Sequence, residues 1–165
     1  MLQPLLAALG LPPHRDQAAP SQAAGTNRAF AHQLTTRAPA ATIWALWMDV
    51  GGWGDWDLGL QRAVAAGPLS LGAKGMIIDL AGRKAAFQVS EFVPGVRYAF
   101  DTRLPGARLR VRRLLIGQHP TQFRHEVSLH GPAARLWAGL LGPNFRTALP
   151  PTMARLAAKA EEFVR

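Results

Sequence analysis

Residues 43–59 read IWALWMDVGGWGDWDLG and contain four of the five tryptophans of the chain. The four form two pairs with a spacing of three, Trp44 with Trp47 and Trp53 with Trp56, so each pair can share one face of a helix. A Gly-Gly step between the pairs predicts two short helices that meet at a bend. Each indole can bury about 150–250 Å² and needs a partner for its N–H. The segment must therefore pack against a core or line a cavity.

The composition is typical of one soluble domain. The 165 residues are 48% hydrophobic and 18% charged, and a chain of this length buries about 70% of its unfolded surface. There is no cysteine, which excludes disulfides, thiolate catalysis and cysteine-based zinc or iron–sulfur sites. No run of about 18 apolar residues is present, and no basic region precedes the apolar start. We therefore expect a cytoplasmic protein without a membrane span or a signal peptide.

The charge balance is strongly basic. The formal net charge is +9, and 16 of the 19 basic residues are arginine, which favours an anionic partner such as nucleic acid, phospholipid or an acidic small molecule. The densest run comprises Arg97, Arg103 and residues 108–113. As a nucleic-acid site it lacks interleaved aromatic residues. We interpret it as a solvated strand face that deters edge-to-edge pairing.

The chain divides into an extension and one domain. Residues 1–26 have an apolar start followed mainly by Ala, Gln, Ser, Pro and Gly, and we interpret them as a partly flexible N-terminal extension. The domain covers 27–165 and begins with a period-2 strand, followed by a helix over 39–48.

A series of short alternating segments follows the second tryptophan pair. Turn dipeptides separate predicted strands at 60–66, 76–80, 85–93, 96–103, 108–117 and 122–130. Hairpin-length loops predict an antiparallel meander. From Ala133 onward the pattern is helical, and three prolines are expected to kink that helix. Its predicted apolar stripe is Leu136, Leu140, Phe145, Leu149, Met153, Leu156, Ala160 and Phe163.

A single sheet needs an element that covers its apolar face, and the last helix is the only one long enough. The predicted fold class is α+β, with a curved antiparallel β-sheet wrapped around one long C-terminal α-helix. Two short helices follow the first strand. The space between sheet and long helix is a natural cavity.

This order resembles the START-like superfamily, also called Bet v 1-like or SRPBCC, and within it the bacterial polyketide cyclase/dehydrase-like branch. The matching pieces are Ala38-Pro39 with Ile43-Trp44, Trp53-x-x-Trp56-Asp57 with Gly59, Gly67-Pro68-Leu69-x-x-Gly72-x-x-Gly75, Val89-x-Glu91 before Pro94-Gly95, and Leu149-Pro150 before Leu156 and Glu161. Together they cover about residues 27–163, and their combined order is more specific than any one piece. The resemblance implies a helix-grip fold with a hydrophobic ligand cavity. Members of the superfamily include lipid carriers, hormone receptors, aromatic polyketide cyclases and co-chaperone domains, so the fold does not fix the function.

Three polar residues fall on otherwise apolar strand faces, namely Glu91, Arg113 and His125. A buried charge is costly unless it is paired, so Arg113 and Glu91 are predicted to form an internal ion pair. His125 has the pKa range of a general acid or base, although a lone histidine on an apolar face is more often structural. These three residues are the candidate catalytic group. Asp55 and Asp57 are interpreted as capping or turn residues.

The resemblance implies that the two short helices lie near the cavity mouth, so their tryptophans are candidate cavity residues. The alternative is that the tryptophans only plug that end, since packed interiors leave few voids. The candidate ligand-binding residues are Trp47, Trp53, Trp56, Met76, Phe87, Phe100, Phe123, Phe145 and Met153. The histidine spacing does not suit a metal cluster, and we expect neither a metal nor another cofactor.

Three functions remain open at this point. The first is the binding of a hydrophobic or aromatic small molecule or lipid by a monomer or homodimer. The second is an enzyme of the aromatase/cyclase kind, in which one or two polar groups promote aldol condensation and dehydration. The third and weakest is binding to nucleic acid or an anionic surface through the arginine-rich strands.

Overall fold

The elements of the domain follow the predicted order. The computed structural model describes residues 28–164, so the extension expected over 1–26 lies outside the described residues. The elements are β1 (Ala29–Thr36), α1 (Ala40–Met48), a 3₁₀ turn (Val50–Gly52), α2 (Trp53–Trp56), β2 (Leu60–Ala65), β3 (Lys74–Asp79), β4 (Lys84–Val93), β5 (Arg97–Leu104), β6 (Ala107–Gln118), β7 (Thr121–His130) and α3 (Ala134–Glu162).

The strands form one antiparallel sheet in the order β1-β7-β6-β5-β4-β3-β2. Each strand from β2 to β6 is paired with the next strand in sequence, which confirms the predicted meander, and β1 forms the far edge beside β7. The pairing register shifts between Leu60 and Arg62, between Val89 and Glu91, and at the end of β6. Such bulges bend a strand and increase its twist. They help the sheet to curl around α3, and the predicted α+β helix-grip architecture is confirmed.

Helix α3 lies close to the β1 edge of the sheet. Phe30 packs against Phe145 with ring centroids 6.0 Å apart. A Cβ atom at Gly142 would lie 2.5 Å from Cζ of Phe30, so this close approach requires glycine. No helix within residues 28–164 is long and apolar enough to cross a membrane.

The buried face of α3 differs from the prediction in its first two turns. Leu136 is 60% exposed, whereas Trp137 and Leu141 are buried. Trp137 is anchored because its Nε1–H donates a hydrogen bond to the carbonyl of Pro105 at 2.9 Å. Apolar residues occur there in adjacent pairs, so periodicity alone could not select the correct member of each pair. At the other end, Phe163 is also exposed.

The tryptophan segment forms the two predicted short helices, joined by the 3₁₀ turn. The Asp49 side chain accepts a hydrogen bond from the backbone N–H of Gly52 and stabilises this turn. Trp47, Trp53 and Trp56 are all fully buried. The segment therefore closes one end of the space between the sheet and α3.

Candidate functional site

A cavity of about 100 Å³, partly open to solvent, lies between the sheet and α3. Ten of its 15 lining residues are apolar, and Phe100, Phe145 and Leu149 are among them. The polar ones are Asp57, Thr102, Arg113, His125 and Thr152. An apolar cavity of about 150 Å³ takes up benzene, so this space suits a molecule of about one aromatic ring.

Arg113 is the central charged group of the site. It lies in β6, opposite Tyr98 of β5 and His125 of β7, and is only 3% exposed. The centre of its guanidinium lies 4.6 Å from the ring centroid of Trp53 and 4.7 Å from that of Trp56. Cation–π attraction is strongest to tryptophan and increases when water is excluded. The two indoles therefore hold the guanidinium in place.

Tyr98 provides the third side of this aromatic enclosure. Nη1 of Arg113 donates a hydrogen bond to the Tyr98 hydroxyl oxygen at 2.6 Å. Burial raises the pKa of Tyr98 to about 12, despite the opposing effect of Arg113. The phenol is therefore neutral at physiological pH and does not neutralise the charge of the guanidinium.

Asp57 is the nearest carboxylate to Arg113. Its Oδ2 lies 3.8 Å from Nη2 of Arg113, and its Oδ1 accepts a hydrogen bond from the backbone N–H of Gly59 at 3.1 Å. Burial raises the pKa of Asp57 above its usual value, and the charge of Arg113 opposes this increase. The turn role predicted for Asp57 is observed, but the carboxylate also lines the cavity. Asp55 is instead paired with Lys159 of α3.

His125 lines the cavity beside Arg113. It is 2% exposed, and its Nε2 has no hydrogen-bond partner within the described residues. Burial lowers its pKa well below 6.5, and the positive charge of Arg113 and the neighbouring His32 of β1 lower it further. The imidazole is therefore neutral at physiological pH, and its Nε2 is a buried polar atom without a partner among the described residues.

Glu91 does not lie in the cavity, and the predicted ion pair between Glu91 and Arg113 is not formed. The bulge between Val89 and Glu91 reverses the alternation of β4. Glu91 therefore faces outward, where its carboxylate accepts hydrogen bonds from Arg97 at 2.6 Å and from Arg112 at 2.8 Å. These contacts hold the pKa of Glu91 below its usual value. The prediction that Glu91 belongs to the catalytic group assumes that inward and outward side chains alternate without interruption along β4. The bulge interrupts this alternation, so Glu91 points away from the cavity.

The arginine-rich strands form part of an ion-pair network on the outer face of the sheet. Three carboxylates alternate with the arginines there, and the side chains are partly exposed. The ion pairs are Arg97–Glu91, Arg112–Glu91, Arg108–Asp101, Arg110–Asp101, Arg112–Glu126 and Arg124–Glu126. This arrangement agrees with the interpretation as a solvated face.

The nine predicted ligand-binding residues divide into two groups. Phe100 and Phe145 line the cavity, and their contact with a ligand remains a prediction. The other seven lie outside its lining, and these are Trp47, Trp53, Trp56, Met76, Phe87, Phe123 and Met153.

The tryptophans lie behind the cavity because they pack on other side chains. The ring of Trp53 stacks on Phe87 and Phe100, with centroids 5.6 Å and 5.4 Å apart. Its Nε1–H donates to the carbonyl of Trp47 at 2.9 Å. Met76 lies outside the cavity lining for another reason. It is paired across the sheet with Val64 and Ala86 on the outer face.

Comparison with known proteins supports the fold and leaves the chemistry open. No protein-family model matches the chain, and no curated protein matches it significantly in sequence. The Zhui aromatase/cyclase from Streptomyces sp. R1128 is 18% identical, with a TM-score of 0.66 over 84% of this chain and 96% of that one. Protein MLL2253 from Mesorhizobium loti is 16% identical, with a TM-score of 0.67 over 84% of this chain and 99% of that one.

A third solved structure has a similar fold. A norcoclaurine synthase point mutant from Thalictrum flavum, in complex with a transition state analogue, is 13% identical, with a TM-score of 0.60 over 84% of this chain and 96% of that one. At such identities the likeness concerns the fold alone. The chain shares the helix-grip fold with these proteins, and that fold is the one that the sequence resemblance implied.

Proposed function

We propose that this protein binds a small apolar or aromatic molecule, of about one ring, between the sheet and α3. The observation that carries this proposal is the cavity itself, whose mainly apolar wall contains a few convergent polar groups. Small-molecule sites in proteins have this general composition. Within the described residues, Nε of Arg113 and Nε2 of His125 lack hydrogen-bond partners, and buried polar atoms in proteins are normally paired. A ligand oxygen at this end of the cavity would supply the hydrogen-bond partner that Nε2 of His125 lacks.

The cavity volume narrows the class of ligand. Sites for drug-sized ligands enclose about 300–1,000 Å³, whereas this cavity has about 100 Å³. A lipid chain or an extended polyketide would require α3 to move away from the sheet. A single substituted ring needs no such movement, and it is therefore the ligand that we favour.

Filling the cavity should weaken binding. Ala148 of α3 lines the cavity, so in the Ala148→Phe variant a ring would occupy the ligand space. We expect affinity for benzyl alcohol, a neutral single-ring probe, to fall at least about tenfold, which corresponds to about 1.4 kcal/mol. Isothermal titration calorimetry measures the affinity, and circular dichroism verifies the fold.

The matched control is Leu136→Phe on the same helix, where the side chain is 60% exposed and points away from the cavity. It should bind benzyl alcohol like the wild type. The absence of saturable binding to the wild-type protein, or equal affinities of the two variants, would contradict the proposed function.

A second candidate function is catalysis of the aromatase/cyclase kind, and the position of His125 beside Arg113 in the cavity wall favours it. A neutral imidazole in an apolar cavity can remove a proton α to a carbonyl group, and the nearby Arg113 can stabilise the enolate oxygen that forms. The aromatase/cyclase among the structural neighbours makes this chemistry relevant.

This candidate predicts a catalytic defect without a binding defect. His125→Asn should slow the exchange of α-protons of a short β-diketone into deuterated water by about 100-fold or more, followed by NMR. Its affinity for benzyl alcohol should stay within a few-fold of the wild-type value. Exchange at the wild-type rate would remove His125 as the base.

A further inference from the structure

We infer that the preferred ligand carries an anionic oxygen, as in an aryl carboxylate or phenolate, and that Asp57 takes up a proton when this oxygen binds to Arg113. The inference rests on the proposed function, because it names the ligand class of the same cavity. It is carried by the incomplete pairing of one buried guanidinium.

Arg113 has donors that the protein does not use. Nη1 donates to Tyr98, but Nη2 lies 3.8 Å from the carboxylate of Asp57, beyond hydrogen-bond distance. Nε is buried without a partner within the described residues. Arginine remains protonated in proteins, and its planar fork matches the geometry of a carboxylate. An oxyanion in the cavity is therefore the ligand group that best completes this site.

The aromatic enclosure makes the site selective for charge. The centroids of the Trp53 and Trp56 rings lie 4.6 Å and 4.7 Å from the guanidinium centre, within the range of cation–π contacts, and both indoles are fully buried. They exclude water from this side of Arg113 without supplying negative charge. Charge–charge interactions are stronger where water is excluded, so an anion gains more here than at an exposed arginine.

The groups around Asp57 determine what happens to its own charge. Arg113 faces it from β6, Tyr98 from β5 and His125 from β7, whereas Lys159 of α3 is paired with Asp55. Tyr98 and His125 are neutral at physiological pH. The local charges are therefore one guanidinium and one carboxylate, and a ligand anion would be a second negative charge beside the same cation.

Proton uptake removes this conflict. Two carboxylates that share a partly buried site favour the protonation of one of them. Asp57 is the natural acceptor because burial already raises its pKa. The proton comes from solvent, the carboxylate becomes a carboxylic acid, and no other bond forms or breaks. The bound state then contains the guanidinium, the ligand anion and a neutral Asp57, which can donate a hydrogen bond to the ligand.

The test compares benzoate with benzyl alcohol, which have the same ring but differ in charge. Calorimetric titrations in two buffers of different ionisation enthalpy give the number of protons taken up. For benzoate we expect wild-type uptake to approach one proton, with affinity falling by up to about tenfold per pH unit as the pH rises above the pKa of Asp57 in the free protein. Benzyl alcohol should show neither effect.

The informative variant is Asp57→Asn, since the amide oxygen can still accept the hydrogen bond from Gly59. It should bind benzoate at least about tenfold more tightly at neutral pH, without proton uptake. Circular dichroism verifies that the variant is folded. The matched control Asp101→Asn, at an ion pair of the outer face, should bind benzoate like the wild type.

The outcomes separate the two proposals. Binding of benzyl alcohol but not of benzoate overturns this inference and leaves the proposed function standing. Binding of neither overturns both. Benzoate binding with no proton uptake, or with equal uptake in Asp57→Asn, overturns the role of Asp57.

Discussion

Replacing Trp53 by alanine is expected to lower the free energy of unfolding by about 3–5 kcal/mol, the usual cost of removing a buried tryptophan. Three interactions are lost together. The indole stacks on Phe87 and Phe100, its N–H donates to the carbonyl of Trp47, and its face covers the guanidinium of Arg113. Urea unfolding monitored by circular dichroism measures the change.

Trp44→Ala is the matched control for this substitution, because Trp44 lies in the same segment but is only partly buried. Its cost should be clearly smaller. Leu136→Ala, at an exposed position of α3, should change stability by less than about 0.5 kcal/mol. A Trp53→Ala protein as stable as Trp44→Ala would contradict the view that Trp53 is the centre of this end of the core.

The fold could be predicted because its local and global preferences agree. Turn dipeptides such as Pro94-Gly95 and Pro105-Gly106 separate segments with strand periodicity, and Gly95 and Gly106 adopt the positive φ angles that glycine tolerates. A long final helix then has only one sheet to cover. The residues that decide this topology act locally, so one sequence was sufficient to find them.

The site was less predictable because it depends on single-residue shifts. A bulge at Ser90, between Val89 and Glu91, moves one charged side chain from the inner to the outer face, and alternation alone carries no sign of it. The choice between a tryptophan plug and a tryptophan lining depends on how the rings pack on Phe87 and Phe100, which are distant in sequence. His125 and Arg113 were found because polar residues on apolar faces stand out.

Asp57 was missed as a cavity residue because its local role was sufficient to explain it. An aspartate two residues before a glycine is typical of a turn, and the Gly59 N–H does bond to it. Only the three-dimensional fold brings β6 beside this turn and places Arg113 next to the carboxylate. This second role was not predicted because Asp57 and Arg113 are far apart in sequence.

The stability of the protein is expected to fall by up to about 2 kcal/mol between about pH 7 and about pH 5 through His125 alone. The folded-state pKa of His125 lies well below 6.5, because of burial and then Arg113 and His32. The unfolded chain titrates near the ordinary value of about 6.5. Below this value the unfolded state binds a proton that the folded state does not bind. The stability that the neutral His125 contributes is therefore fully present above about pH 6.5 and is lost as the pH falls below this value.

The measurement is the pH dependence of the free energy of unfolding of the wild type and of His125→Asn. Only the slope is compared, because the substitution also changes packing. The variant should lack most of the decrease above about pH 5, where carboxylates with low pKa values have not begun to titrate. His130→Asn is the matched control. The pKa of His130 is also lowered, by partial burial and then by Arg108 and Arg110, but its exposed position should give a smaller effect. Equal slopes in the wild type and His125→Asn would mean that His125 is not held neutral, and would remove the premise that the cavity contains a single cation.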